Sequence, residues 1–137
     1  MITLAQYFGR FKNHPDATAA RKVNATNLLT ACGQLEALAL ADGVVFHDNP
    51  ATECGVSGEY YGGFRPKNCP QGAEHSSHKE GSAVDRYDPR NEIDAWCMAN
   101  LDKLEQCGIY IEHPDATPTW SHWTTRAPGS GNRVFHP

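Results

Sequence analysis

No apolar run in the 137-residue chain approaches the length of about 20 residues that a membrane-crossing helix needs. Basic excess is also missing: 12 Lys and Arg stand against 16 Asp and Glu, a net charge of -4. Nucleic-acid binders carry a basic stripe, so that class is set aside. Nor is there a Cys-x-x-Cys pair. The five cysteines (Cys32, Cys54, Cys69, Cys97, Cys107) are odd in number, which argues against both a disulfide framework and a zinc ribbon. Cys32 and Cys97 fall at helical apolar positions and read as small buried thiols. Cys54 and Cys69 flank a Gly-rich segment and can pair only in an oxidising setting, so the set is taken as reduced. The opening "MITLAQYFGRFKNHPD" lacks a basic region followed by an apolar one, so synthesis in a cytoplasm is expected, with help needed for any route outward.

What is present is turn chemistry and short elements, with 12 Gly and 9 Pro. "ITLAQYFGRF" is short, amphipathic and helical in pattern. "DATAARKVNATNLLTACGQLEALALAD" is a long helix on the stripe Val23, Ala25, Leu28, Leu29, Cys32, Leu35 and Leu38. Asp16 is its expected N-cap, Gly43 its stop, and Gly33 a place for a kink, since Gly costs about 1 kcal/mol relative to Ala. "GVVFHD", "EYYGGFR", "GSAVDRYD", "IYIEH" and "TWSHWTTR" read as strands. "NEIDAWCMANLDKLEQCG" reads as helix, capped by Asn91 and ended by Gly108, while the tail "APGSGNRVFHP" is mostly irregular. Without a repeat, a low-complexity tract or a dividing linker, residues 1–137 form one expected domain. The order of elements predicts α+β, with a small, mostly antiparallel sheet and flanking helices.

The chemistry concentrates in "EHSSHKEGSAVDRYDP", residues 74–89. His nitrogen and carboxylate oxygen are zinc donors, and catalytic zinc sites use three protein ligands and keep a position open. His78 and Asp85 stand seven apart, an odd spacing that on a straight strand points them to opposite faces. A turn must intervene; Gly81 can supply it, and small Ser82 and Ala83 let the backbone pass close. A third ligand has to come from elsewhere, and His122 is the best candidate, because a strand beside "GSAVD" can aim it at the same point. The competing reading is ordinary: most of the seven histidines in such a chain are exposed or satisfied in the core. His14, His47 and His136 carry no suggestive context, His75 is a hydrogen-bonding neighbour, and His113 is a supporting or surface residue. Trp120 and Trp123, three apart on one strand, face opposite ways, so at most one walls a cleft beside His122. Trp96 belongs to the buried face of its helix. Arg126 and Arg133 read as solvated or in contact with acidic surface.

"SSHKEGSAVD" resembles the SxHxxGxAxD signature of the zinc D-Ala-D-Ala carboxypeptidases and phage L-alanyl-D-glutamate endopeptidases, which form one structural superfamily with hedgehog domains. "GGFRPKN" is similar to that family's SGYR segment, with Arg65 at the arginine, and "TWSHW" to its WxH segment, with His122 at the histidine. The three segments keep the family's order, and the tail is similar to that of phage-encoded members. The resemblance implies a hedgehog/DD-peptidase-like fold and a Zn²⁺ held by His78, Asp85 and His122. It also implies that Arg65 stabilises charge on the scissile carbonyl oxygen, and that Ser76 binds substrate or orders the loop. The family's general base stands three residues before the last histidine, where this chain has Thr119. Glu112, on the neighbouring strand, is the substitute candidate; otherwise it is a surface carboxylate or a ligand in a loop. The implied substrates are bacterial peptidoglycan stem peptides, and the implied setting a phage endolysin or virion-associated lysin acting at the cell wall. A zinc-binding module without catalysis is the second reading, and an assembly or tail protein without metal a third.

Overall fold

The computed structural model describes all 137 residues. Helix α1 (Leu4–Phe8) opens with a capping box: the Thr3 hydroxyl accepts from Gln6 N–H, and the Gln6 side chain accepts from Thr3 N–H. A 3₁₀ turn (Gly9–Phe11) leads to α2 (Ala19–Ala41). Its cap is Thr18, whose hydroxyl accepts from Arg21 N–H. Asp16, the expected cap, instead accepts from the backbone N–H of Lys67. Ala25, Leu28, Leu29, Cys32, Leu35 and Ala39 form the buried stripe, whereas Val23 falls out of phase and is exposed. The helix runs unbroken through Gly33, where a Cβ would sit 2.7 Å from Met1 Sδ.

Strand β1 (Ala83–Tyr87) follows after a long irregular stretch. Then come α3 (Glu92–Ala99), α4 (Leu101–Cys107), β2 (Tyr110–Glu112), β3 (Trp120–Thr124) and β4 (Val134–Phe135). The single expected helix over 91–108 breaks at Asn100, whose backbone leaves the helical region (φ -136°, ψ 48°) and whose side-chain amide donates to Trp96 O. Asn91 is left-handed and caps nothing; the Asp88 carboxylate accepts from the N–H groups of Ile93 and Asp94. Gly108, left-handed, ends α4 as expected.

The class is α+β, but the sheet is mixed, in the order β1-β3-β2-β4, rather than mostly antiparallel. β3 pairs antiparallel with β1 and β2, and β4 runs parallel to β2. The cause is steric. Both edges of β3 are taken, so the chain that reverses after it must add beside β2, and a strand reversed relative to β3 is parallel to β2. The strands expected at "GVVFHD" and "EYYGGFR" do not form. Val44 N–H instead closes the end of α2 on Ala39 O. Gly62 and Gly63 press against carbonyls, where a Cβ would lie 2.1 Å from Ser57 O and Tyr7 O respectively.

One apolar core joins α1, α2, α3, α4 and the inner face of the sheet, with Phe64, Val84, Ile111 and Trp123 fully buried. Trp96 is only half-buried, its indole N–H donating to Asp42. All five cysteines are free thiols. Arg86 reaches Glu36 of α2 with both terminal nitrogens at 3.2 Å, and its guanidinium lies over the Phe46 and Trp123 rings. No helix is long and apolar enough to cross a membrane.

Asp94 sits almost fully buried beside Thr117, Ser121, Asp88 and His113, with one carboxylate oxygen unpartnered. Burial pushes its pKa up to about 6; the Thr117 and Ser121 hydroxyls and His113 oppose the rise, and the Asp88 charge adds to it. The fold therefore binds this proton more tightly than the unfolded chain does. Stability from this group is full below pH 4 and is lost as pH rises to about 6. Asp94→Asn removes that slope. Relative to wild type, the variant is expected to gain about 1–3 kcal/mol between pH 4 and pH 7, read from urea melts at the two values.

Candidate metal centre

The β1/β3 register places Asp85 directly opposite His122, and Val84 opposite Trp123. Alternation does the rest: Val84 and Trp123 go into the core, while Asp85 and His122 share the other face. His78 arrives from the turn before β1. Gly81 has φ +78° and lies against α2, where a Cβ would sit 2.6 Å from Arg21 O. The Asn24 amide fastens the same turn by donating to Glu80 O at 2.8 Å. Gly81 thus supplies the reversal that the spacing of His78 and Asp85 requires.

His78 Nε2, Asp85 Oδ1 and His122 Nδ1 converge. The three separations are 3.3 Å (His78–His122), 3.2 Å (His78–Asp85) and 2.9 Å (His122–Asp85). A tetrahedral zinc with arms of about 2.0–2.1 Å has edges of about 3.3–3.4 Å, so the triangle is close to one face of that tetrahedron. Protonation agrees with this. His78 Nδ1 lies 2.8 Å from Gly63 O, a contact the ring can make only by donating, which leaves Nε2 bare. Burial lowers the pKa of this imidazole, and the Asp85 carboxylate works against that shift. Burial alone would raise Asp85, but the neighbouring imidazoles outweigh it and hold the carboxyl far below the usual carboxylate range. His78 Nε2 and Asp85 Oδ1 stand 3.2 Å apart, a spacing at which both can ligate one cation.

Arg65 donates from Nη2 to Asp85 Oδ2 at 3.1 Å and from Nε to Tyr61 O at 2.7 Å. It thereby turns Oδ1 toward the two imidazoles. Its Nη1 makes no hydrogen bond within the fold. Arg65→Met is expected to weaken metal affinity by about 10–100-fold. Arg65→Lys should recover it only in part, because one ammonium lacks the planar fork that spans both acceptors. Competition against a chromophoric chelator measures both.

Glu112, on β2 antiparallel to β3, stands beside His122, with Oε1 3.9 Å from Nε2, the nitrogen turned away from the convergence point. It lines a cavity of about 510 Å³ that the three converging residues also line, together with Ser76 and Trp120. Ser76 Oγ accepts from His78 N–H, so its hydroxyl orders the loop and faces the cavity. A second cavity of about 330 Å³ meets the first at Arg65, Asp85 and Trp120. Trp120 walls both, while Trp123 lies wholly in the core. Thr119 is exposed, left-handed at φ +72°, and tied by its backbone to Asn91 and Asp88. It lines neither cavity. His75 is an exposed part of the larger cavity's wall, and His113 stacks on His136 outside the group.

Two contributors had no sequence signature. Gly63 O acts through its backbone, and Phe135 of β4 packs edge-on against the His122 ring. Arg126 could have been found by extending the even-numbered face of β3, Trp120–His122–Thr124, one step further; it too lines the larger cavity. Comparison with known proteins yields no match to a family model, a curated protein or a solved structure. His78, Asp85 and His122 form a buried group that can hold a metal ion and that borders an open cavity.

Proposed function

We propose that the chain is a zinc metallopeptidase of the DD-carboxypeptidase and L-alanyl-D-glutamate endopeptidase type, acting on peptidoglycan stem peptides as a phage lysin. The observation that carries this reading is the triangle of two imidazole nitrogens and one carboxylate oxygen, with near-tetrahedral edges and one side on a cavity. His/His/carboxylate is a donor set that suits zinc, and a free corner is what separates catalytic sites from structural ones. Zinc, when bound, supplies a Lewis acid that acidifies water and polarises the scissile carbonyl.

The protein's own groups supply the remaining parts. Glu112 takes a proton from the attacking water and returns it to the leaving nitrogen as the C–N bond breaks, giving one carboxylate and one amine. Arg65 Nη1 is the donor left for the carbonyl oxygen as it gains charge. Trp120 walls the cleft on the side where the two cavities meet and shields the reacting amide from bulk water. Purified cell wall, incubated with chelated protein and then with added zinc, is expected to release soluble peptides only after zinc is returned.

The second reading, a zinc-binding module without catalysis, draws on Thr119 at the position where the resembled family carries its base. One zinc per chain with no peptide released from wall or from synthetic stem peptides would favour it.

A further inference from the structure

We infer that residues 126–137 form a hinged strap that closes one side of the larger cavity and lifts to admit long ligands. The inference needs only the cavity and the buried group beside it, whatever reaction takes place there. Ala127, Pro128, Gly129, Phe135 and Pro137 all line that cavity. Thr125 N–H donates to Ser82 O and Arg126 N–H to Thr124 Oγ1, which fixes the chain as it leaves β3. Beyond this anchor, the hydrogen bonds of residues 127–132 stay inside the segment: Gly131 N–H donates to Pro128 O, and Asn132 N–H to Ser130 Oγ. Gly131 is left-handed at φ +72°. Gly129 has neither a left-handed backbone nor any neighbour that a Cβ would meet within 4 Å. The docked conformation does not require glycine there, so what Gly129 lends is freedom to leave it.

The far end of the strap docks by a small latch. β4 is two residues long and pairs only with β2. Ile111 N–H donates to Arg133 O at 2.9 Å, and His113 N–H to Phe135 O at 2.8 Å. Alternation splits the two side chains of β4: half-buried Val134 packs on the core, while Phe135 meets the His122 ring edge-on at 6.2 Å. Phe135 is also in register with Glu112, so the docked strap covers the Glu112 side of His122. The Arg133 guanidinium lies 4.0 Å from the Tyr110 ring centre and donates to Ile109 O, and His136 stacks on His113 at 4.6 Å. These contacts all fall on residues 109–113 or on His122, so they form and break together. A two-residue edge strand with half-buried side chains is a unit that opens locally while the core stays folded. With the strap docked, a cavity of about 510 Å³ takes a small ligand, and a longer chain needs that wall to move.

Hydrogen exchange on the full chain reads the opening. The Ile111 and His113 amides, which donate to the strap, are expected to exchange together and about tenfold or more faster than the Asp85 amide, which donates to Gly62 O. Phe135→Ala should speed both further and leave Asp85 unmoved. Exchange of the two amides at the Asp85 rate overturns the strap. A lock reads the gate: His113→Cys with His136→Cys, at neighbouring positions of parallel β2 and β4, is oxidised to a disulfide. The reduced form of the same protein controls for the lost ring stack. On the zinc-loaded chain, a tripeptide hydroxamate is expected to bind about tenfold or more slowly to the oxidised form and to recover on reduction. Acetohydroxamate, small enough to enter past a docked strap, should bind both forms at one rate. Equal tripeptide rates in the two forms, or equal slowing of both probes, overturn the gate. The exchange measurement needs no zinc, so a chain that takes no metal sinks the peptidase reading while Ile111 and His113 still decide the strap.

Discussion

His78→Ala and Asp85→Ala are each expected to leave the chain without stoichiometric zinc and to bring peptide release from cell wall below about 1 % of wild type. The expectation follows from the small number of donors. The group offers three ligand atoms, and removing any one leaves two, too few to hold the ion against buffer and water. Asp85→Ala carries a second effect, because Arg65 would lose the carboxylate that pairs its largely buried charge. Breaking such a pair by deleting one partner costs about 3–5 kcal/mol. Asp85→Asn separates the two effects: it keeps an oxygen for Arg65 and the side-chain shape, so it should fold while binding zinc more weakly. Metal analysis and muropeptide release, run on the same preparations with melting curves, measure all three variants. Hydrolysis that survives both alanine substitutions would reject the zinc assignment.

Glu112→Gln is expected to keep its zinc and to lose about 10²–10⁴-fold in kcat, with KM nearly unchanged. Gln preserves size and polarity but takes no proton at neutral pH. Because Glu112 faces the Nε2 side of His122 and not the convergence point, its removal leaves the ligand triangle intact. The contrasting experiment is Thr119→Asp in the Glu112→Gln background. If the resembled family's base position were functional here, that acid would restore activity. The structure predicts no recovery, since residue 119 is exposed, turned away by its left-handed backbone and absent from both cavity walls. Recovery by Thr119→Asp, or a Glu112→Gln variant with full kcat, would remove Glu112 from the reaction.

The sequence shows the site more clearly than the fold around it, for physical reasons. His78, Gly81 and Asp85 are close in the chain, and a tight turn followed by a strand constrains them locally. Asp85 and His122 meet through one antiparallel register, which the alternation of Val84 and Trp123 with them makes visible. Glu112 follows from the same pairing carried over to β2. The two strands that did not form show the limit of pattern alone. Val44, Val45 and Phe46 make the short apolar run a strand would show, but Val44 and Phe46 pack on the core without a ladder partner, Val45 is exposed, and the start of the segment is used to close α2. Tyr60 and Tyr61 read as strand residues, yet the two glycines after them bring the backbone against other carbonyls. Helix caps depart from the local pattern where a tertiary partner competes: Asp16 serves Lys67, Asn91 serves Thr119, and Thr18 and Asp88 cap in their place. The mixed sheet depends on where the last two strand residues find a free edge, and no local pattern encodes that.

Gly63 carries an obligation beyond its turn. Its carbonyl selects the tautomer of His78, and its backbone is wedged against Tyr7 O, while the Tyr7 hydroxyl donates to Ala83 O at the start of β1. A five-residue helix that contributes no ligand therefore determines which nitrogen of residue 78 is exposed. Anyone transplanting the two histidines and the aspartate into another scaffold would have to carry this amino-terminal brace with them, or the grafted ring would be free to turn over and offer the wrong nitrogen.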